Sequence, residues 1–306
     1  MNIRIRGALA PVLTPFTRGL EPDVKNFVAH SRWLVDNNAG LAIFGTNSEA
    51  ASLSVAERLH LTDALFEAGI PAAKMMPGTG VCSLIDAVTL TRHAVQSAVA
   101  GVLMLPPFFY KGVTEDGVFA YYSEVIERIG DARLSIYLYH IPQMTQVPIT
   151  LNLIERLLKR YPQAIAGAKD SSGDWGNTKA MIDSFGRDGF DVFPASESLL
   201  SKALAIGGAG CISATVNVNP AAITQLFSGW NGPEGADLQA AADVIRQIFQ
   251  ATAMVPAMKY VIADATRDES WRTVRPPLCP LTEDVAADLT GRLRAAKFAV
   301  TGHPGR

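Results

Sequence analysis

Short apolar runs and amphipathic stretches alternate along most of the chain. Eight runs have the length and composition of buried strands: Gly7–Val12, Gly40–Phe44, Ala73–Met76, Gly101–Leu105, Leu134–Tyr139, Ala164–Ala168, Asp191–Phe193 and Gly210–Ser213. Between them, apolar residues recur at spacings of three and four. Examples are Val24, Phe27, Val28 and Leu34, then Val55, Leu59, Leu61, Leu65 and Phe66. Ile85, Val88, Leu90, Ala94 and Val95 continue the series, as do Leu153, Ile154, Leu157 and Leu158. Ser54 followed by Glu57 forms a capping box, in which each side chain accepts from the other residue's orphan amide. Thr114 followed by Glu115 and Asp116 places acids at a helix start, where the dipole favours them.

Eight strands, each followed by a helix, predict an α/β chain folded as a (β/α)8 TIM barrel. The competing doubly wound sheet calls for a glycine-rich turn after its first strand. Leu13-Thr14-Pro15-Phe16 stands there instead. The barrel is expected over residues 1–231. Residues 232–306 are expected as a C-terminal helical region packed on it, with helices at Ala236–Ala251, Pro256–Ala265 and Thr282–Phe298. The proline-rich stretch Arg272–Pro280 should break them.

Composition narrows the function. The chain has 306 residues, 48% of them hydrophobic, and 27 Lys and Arg nearly balance 29 Asp and Glu. No basic field is present for a nucleic-acid partner. No apolar run reaches the roughly 18 residues of a membrane span. The opening Met1–Gly7 has no apolar core followed by a small-residue cleavage site, so a cytoplasmic location is expected. Cys82, Cys211 and Cys279 are odd in number and widely separated. They are expected as buried thiols rather than disulfides or metal ligands. The five histidines form no ligand pattern, so no metal site is expected.

A barrel gathers its chemistry at the C-terminal ends of its strands. Four strand ends stand out: Gly45-Thr46-Asn47-Ser48-Glu49, Tyr139-His140-Ile141-Pro142, Lys169-Asp170-Ser171-Ser172-Gly173 and Ser213-Ala214-Thr215. Lys169 follows five apolar or small residues. An amine enclosed by apolar walls favours its neutral form, which attacks carbonyls and forms a Schiff base. The alternative is a solvated strand-end lysine paired with Asp170. Lys74 sits at the wrong end of its strand. Tyr139 lies one βα unit earlier, and neighbouring strands run about 4.8 Å apart. Its phenol can relay protons to an imine or hold a substrate oxygen; the alternative is an aromatic plug. Thr46 and Asn47 offer a hydroxyl, an amide and backbone N–H groups to a carboxylate, or are ordinary loop residues. Gly207-Gly208-Ala209-Gly210 has the look of a phosphate nest, but a tight turn is the simpler account.

These pieces together resemble the dihydrodipicolinate synthase / N-acetylneuraminate lyase family of class I Schiff-base aldolases. The resemblance runs from about Gly7 to Asn219. It also takes in Pro77-Gly78-Thr79-Gly80 and Pro107-Phe108-Phe109-Tyr110. It implies that Lys169 forms an imine with a 2-oxo acid, usually pyruvate, and that Tyr139 is the proton-relay phenol. It implies that Thr46 and Asn47 hold the pyruvate carboxylate and that Ile212 offers its carbonyl near the imine. It further implies a homotetramer, a dimer of dimers, and no cofactor beyond the covalent lysine imine.

The departures bear on the second substrate. The synthase branch carries an arginine where Met144 stands, and a methionine cannot grip a carboxylate bidentately. Phe108-Phe109 replaces a tyrosine pair, so a relay from that loop falls to Tyr110. Gln143, Met144, Ser196 and Glu197 are the candidates for second-substrate contacts. The expected activity is a lyase or aldolase acting on pyruvate and a 2-oxo acid such as a 2-keto-3-deoxy sugar acid. The alternatives are 4-hydroxy-tetrahydrodipicolinate synthase proper, which the loss of the arginine disfavours, and a non-catalytic 2-oxo-acid-binding barrel.

Overall fold

The computed structural model describes residues 4–304, so Met1 to Ile3 of the opening segment lie outside the described residues. These residues contain seven strands: β1 (Gly7–Ala10), β2 (Gly40–Leu41), β3 (Val102–Met104), β4 (Ile136–His140), β5 (Ile165–Asp170), β6 (Asp191–Pro194) and β7 (Gly210–Ile212). The chain divides into two compact units, one containing residues 4–7 and 71–212, the other residues 8–70 and 213–304.

In the first unit β3, β4, β5 and β6 form a parallel sheet in that order. Period-two alternation sorts its side chains. Val102, Met104, Ile136, Leu138, Ala168 and Val192 join a core with helix residues such as Val118, Val125, Leu153, Leu157 and Met181. The alternate positions, Tyr137, Tyr139, Lys169 and Phe193, point to the other face. Both faces are buried, which is why these strands read as continuous apolar runs.

The expected strand Ala73–Met76 is absent as a strand. Ala72–Lys74 instead makes a 3-10 turn. Contact with β3 starts later, through Ala100 N to Met75 O (3.1 Å), Leu103 N to Pro77 O (2.9 Å) and Thr79 N to Leu103 O (3.0 Å). Pro77 has no N–H to donate, so the ladder shrinks to one bridge, Gly78 with Leu103. Lys169 therefore lies on the fifth observed strand. The glycine run before β7 serves backbone approach. Gly210 has φ +145°, and a Cβ there would sit 1.9 Å from Gly7 O.

In the second unit β1 pairs in parallel with β2, Leu9 opposite Gly40 and Ala10 opposite Leu41. The capping box forms as read: Ser54 N donates to Glu57 Oε2 (2.8 Å), and Glu57 N donates to Ser54 Oγ (3.2 Å). The C-terminal helices are Gly235–Gln250, Met254–Thr266 and Glu283–Ala295. Their core side chains, among them Ile248, Phe249, Met258, Ile262, Leu289 and Leu293, cluster with Leu13, Ala214 and Val218. The cysteines differ from expectation: only Cys211 is buried, while Cys82 and Cys279 are exposed, and none of the three is in a disulfide. Cys211 lies on β7, whereas the other two fall in connecting segments outside the core.

Candidate active site

Lys169 and Tyr139 come together. Their Cα atoms are register partners on β5 and β4. Each is only 3% exposed. Lys169 Nζ donates to Tyr139 Oη at 3.2 Å and lies 4.3 Å from the centroid of the same ring. Alternation turns the next residue, Asp170, to the opposite face, where Oδ1 accepts from Ser172 N (2.9 Å) and Oδ2 from Thr178 Oγ1 (2.6 Å). The alternative of a solvated Lys169 paired with Asp170 is thereby excluded. Tyr137 shares the face of Tyr139, its ring edge-on to Phe193 at 5.8 Å.

His140 faces away from Lys169, following the same alternation. Its Nδ1 accepts from Ile149 N at 3.0 Å, which leaves the proton of the neutral ring on Nε2. Burial lowers its pKa, and the Asp170 carboxylate opposes that shift. The bond ties the end of β4 to the segment beyond the short helix Pro142–Thr145.

The other expected residues of this unit lie on the loops and turns after β3, β4 and β6 and at the end of β7. Ile212 is buried at the end of β7. Ser196 caps the 3-10 turn Glu197–Leu199, its Oγ accepting from Ser198 N at 3.3 Å, and Glu197 beside it is buried. Gln143 Nε2 donates to Ser171 O at 2.6 Å, which joins the loops after β4 and β5. Met144 is 59% exposed. Tyr110 is 72% exposed, its ring edge-on to Phe109 with centroids 5.5 Å apart. Lys111 Nζ donates to Thr145 O at 3.0 Å, which holds that loop beside the helix carrying Met144. Tyr110 and Met144 are thus exposed, whereas Lys169 and Tyr139 are buried.

In the second unit Thr46 and Asn47 are half-buried at the start of the 3-10 turn Thr46–Ser48. Gly45 N donates to Ser48 Oγ (3.2 Å), and Thr14 Oγ1 donates to Ser48 O (2.7 Å). Glu49 follows with φ +56°, in the left-handed region. Its fully buried carboxylate pairs with Lys259 Nζ, equally buried, and accepts from Arg275 N at 3.0 Å. Burial pulls the Lys259 pKa down to about 8, and the Glu49 carboxylate opposes that shift. The sequence reading missed Lys259. The available signal was one charge inside an otherwise apolar helical stretch, Met254-Val255-Pro256-Ala257-Met258. Among the described residues no group of three or more His, Cys, Asp or Glu is placed to hold a metal ion. No helix among them is long and apolar enough to cross a membrane.

Residues 4–296 match the model of the dihydrodipicolinate synthetase family. The chain is 36% identical to an uncharacterized DapA-like lyase of Chloroflexus aurantiacus over 296 residues, 95% of each chain. It superposes on the crystal structure of dihydrodipicolinate synthase from Agrobacterium tumefaciens with a TM-score of 0.86 at 27% identity, covering 95% of this chain and 99% of that one. It superposes equally well, with a TM-score of 0.86 at 25% identity, on YagE of E. coli K12 in complex with pyruvate, covering 96% and 99%. YagE is described as a prophage protein of the dihydrodipicolinic acid synthase family. The fold class is the expected one, a (β/α)8 barrel with C-terminal helices. The chain belongs to the dihydrodipicolinate synthetase family, whose members are lyases and aldolases of the Schiff-base type.

Proposed function

We propose that the protein is a class I lyase or aldolase that makes or breaks a bond at the carbon next to the carbonyl of a 2-oxo acid through an imine on Lys169. The observation that supports this best is the buried Lys169 Nζ, 3.2 Å from a phenol and on the face of β5 opposite the helices. YagE, similar over nearly the whole chain, binds pyruvate. The neutral amine attacks C2 of the 2-oxo acid, pyruvate or a longer one, and forms a carbinolamine. Loss of water gives the protonated imine. That cation withdraws electrons from C3: with pyruvate bound, a C3 proton is lost, and with a longer 2-oxo acid the C4 hydroxyl gives up its proton and the C4 fragment departs as an aldehyde, the electron pair being held in either case as an enamine. The enamine carbon C3 then takes a proton or attacks an aldehyde acceptor whose oxygen is protonated, which regenerates the protonated imine, and water hydrolyses that imine to free the lysine and the 2-oxo acid.

Each proton transfer needs a partner, and Tyr139 Oη is the group at hand. Thr46 and Asn47 take the 2-oxo-acid carboxylate, and Ile212 offers its carbonyl. Tyr110 is the relay residue of the loop after β3. Met144 and Ser196 contact the second substrate. With Met144 in place of an arginine, a 2-keto-3-deoxy sugar acid or similar chain fits better than a substrate with a second carboxylate to grip. The working enzyme is a cytoplasmic homotetramer, a dimer of dimers, and needs no cofactor beyond its own lysine.

The test is turnover of a panel of 2-keto-3-deoxy sugar acids, read as released pyruvate. Met144 in place of the arginine, and Phe108-Phe109 in place of the tyrosine pair, favour a second reading, a barrel that binds 2-oxo acids without turning them over. Thermal stabilisation by pyruvate with no turnover of any panel member would select that reading.

A further inference from the structure

We propose that the buried Glu49–Lys259 ion pair positions the turn bearing Thr46 and Asn47, and so sets the affinity for a 2-oxo-acid carboxylate without touching it. This rests on the function proposed above. Glu49 joins two 3-10 turns, Thr46–Ser48 and Ala50–Ser52. Its φ of +56° and ψ of 32° lie in the left-handed region that non-glycine residues avoid. Such a residue persists only where its surroundings hold it there.

The surroundings here hold it from two directions. Lys259 Nζ, from the helix Met254–Thr266, pairs with Oε1 and also donates to Thr273 O at 2.9 Å. The same ammonium lies 4.5 Å from the centroid of the Phe16 ring. Arg275 N, from the extended stretch after that helix, donates to Oε2 at 3.0 Å. Arg275 is itself pinned, its guanidinium pairing with Glu57 and donating to Leu20 O and Ser52 O. Glu49 N donates to Thr46 O at 3.1 Å, so the clamped residue closes the turn that carries Thr46 and Asn47.

Stability alone does not account for the pair. Removing two charges from water costs several kcal/mol each, and well-packed apolar replacements are often as stable or more so. The neighbours of Lys259 on its helix, Val255, Ala257, Met258, Ile262 and Ala263, show that apolar side chains suit the site. What apolar side chains cannot do is fix a direction. A carboxylate bound by one ammonium and one amide has a single orientation, and the turn above it inherits that orientation. A mutation away from the chemistry that misplaces a positioned group by about 1 Å can cost on the order of 100-fold in rate.

The test is the double variant Glu49→Gln/Lys259→Met, which removes both charges at similar volume. The readout is borohydride trapping at graded concentrations of pyruvate, with acetone, which has no carboxylate, trapped in parallel. The variant is expected to unfold at no lower temperature than the native enzyme. Its half-saturating pyruvate concentration should rise about tenfold or more, acetone trapping should not change, and the adduct at saturating pyruvate should remain on Lys169. Half-saturation within twofold of native overturns the proposal, as does an equal loss with acetone. If the double variant does not fold, Glu49→Gln alone should shift pyruvate in the same direction and spare acetone, and no shift overturns the proposal. If the native enzyme forms no adduct on Lys169, the proposed function fails and the positioning role falls with it. A native adduct with unchanged half-saturation in the variant removes only the positioning role.

Discussion

Tyr139 and Lys169 are register partners on adjacent parallel strands, and their side chains meet with Oη 3.2 Å from Nζ. The pair gathers two roles at one point. The phenol accepts the ammonium's hydrogen bond, and the ring face also lies within 4.3 Å of the cation. Tyr139→Phe separates these roles, because the ring stays and the oxygen goes. Borohydride-trapped adduct should still form, while turnover falls about 100-fold or more, the usual worth of a positioned proton-transfer group. Turnover within threefold of native would remove Tyr139 from the proton relay.

The alternation that brings these two residues together was legible in the sequence. Period two places Lys169 and Tyr139 on one face and Asp170 and His140 on the other, whatever the strand count. The helix starts at Ser54 and Thr114 were legible too, because their caps are bonded within three residues. The failed strand Ala73–Met76 is different in kind. Its apolar run is real, but Pro77 cannot donate to a ladder and the preceding residues close a 3-10 turn. Glu49 and Lys259 lie 210 residues apart, so no local pattern announces the pair. The exposure of Tyr110 and Met144 also depends on loop packing that periodicity does not reach.

Met144 is exposed on the short helix after β4, so it can be changed without disturbing the core. Met144→Arg would supply the bidentate donor that the chain lacks. Acceptor substrates with a distal carboxylate should gain about tenfold in kcat/KM relative to uncharged acceptors, the scale of one charge-assisted hydrogen bond. An unchanged ratio across an acceptor panel would place Met144 outside the second-substrate site.

Acid should destabilise the protein through His30. The ring is fully buried, with Nε2 against Asn217 Oδ1 at 3.1 Å and Nδ1 against His303 Nε2 at 2.9 Å. Asn217 Nδ2 donates to Pro11 O and Ala214 O, so its oxygen faces His30 and takes a proton from Nε2. Desolvation first, and the His303 ring second, lower the His30 pKa from 6.5 to about 3. The unfolded chain therefore binds a proton below about pH 6.5 that the folded chain refuses until about pH 3. Stability falls with pH across that window, by up to about 1.4 kcal/mol per unit from this group. Urea midpoints measured at intervals from pH 7 to pH 4 should show the decline, and His30→Gln should flatten it. An identical slope in the variant would rule out His30 as its source.

Gly210→Ala should be far more damaging than an ordinary surface change. The residue has φ +145°, and the new methyl would fall 1.9 Å from Gly7 O, a backbone atom that cannot swing aside. Loss of soluble protein, or a fall in the melting temperature well beyond that of Gly291→Ala, is the expected result. Gly291 has nothing within 4 Å of the added methyl. Equal behaviour of the two variants would contradict the described approach of β7 to Gly7.

Lys169, one lysine among the chain's several, is the residue on which the proposed chemistry rests. Its most direct test is to reduce the enzyme with borohydride in the presence of pyruvate, digest it and locate the modified peptide by mass spectrometry. A single pyruvate-derived adduct on Lys169, absent when pyruvate is omitted, is the expected result. No adduct, or an adduct on Lys74, Lys111 or Lys259 instead, would contradict the assignment.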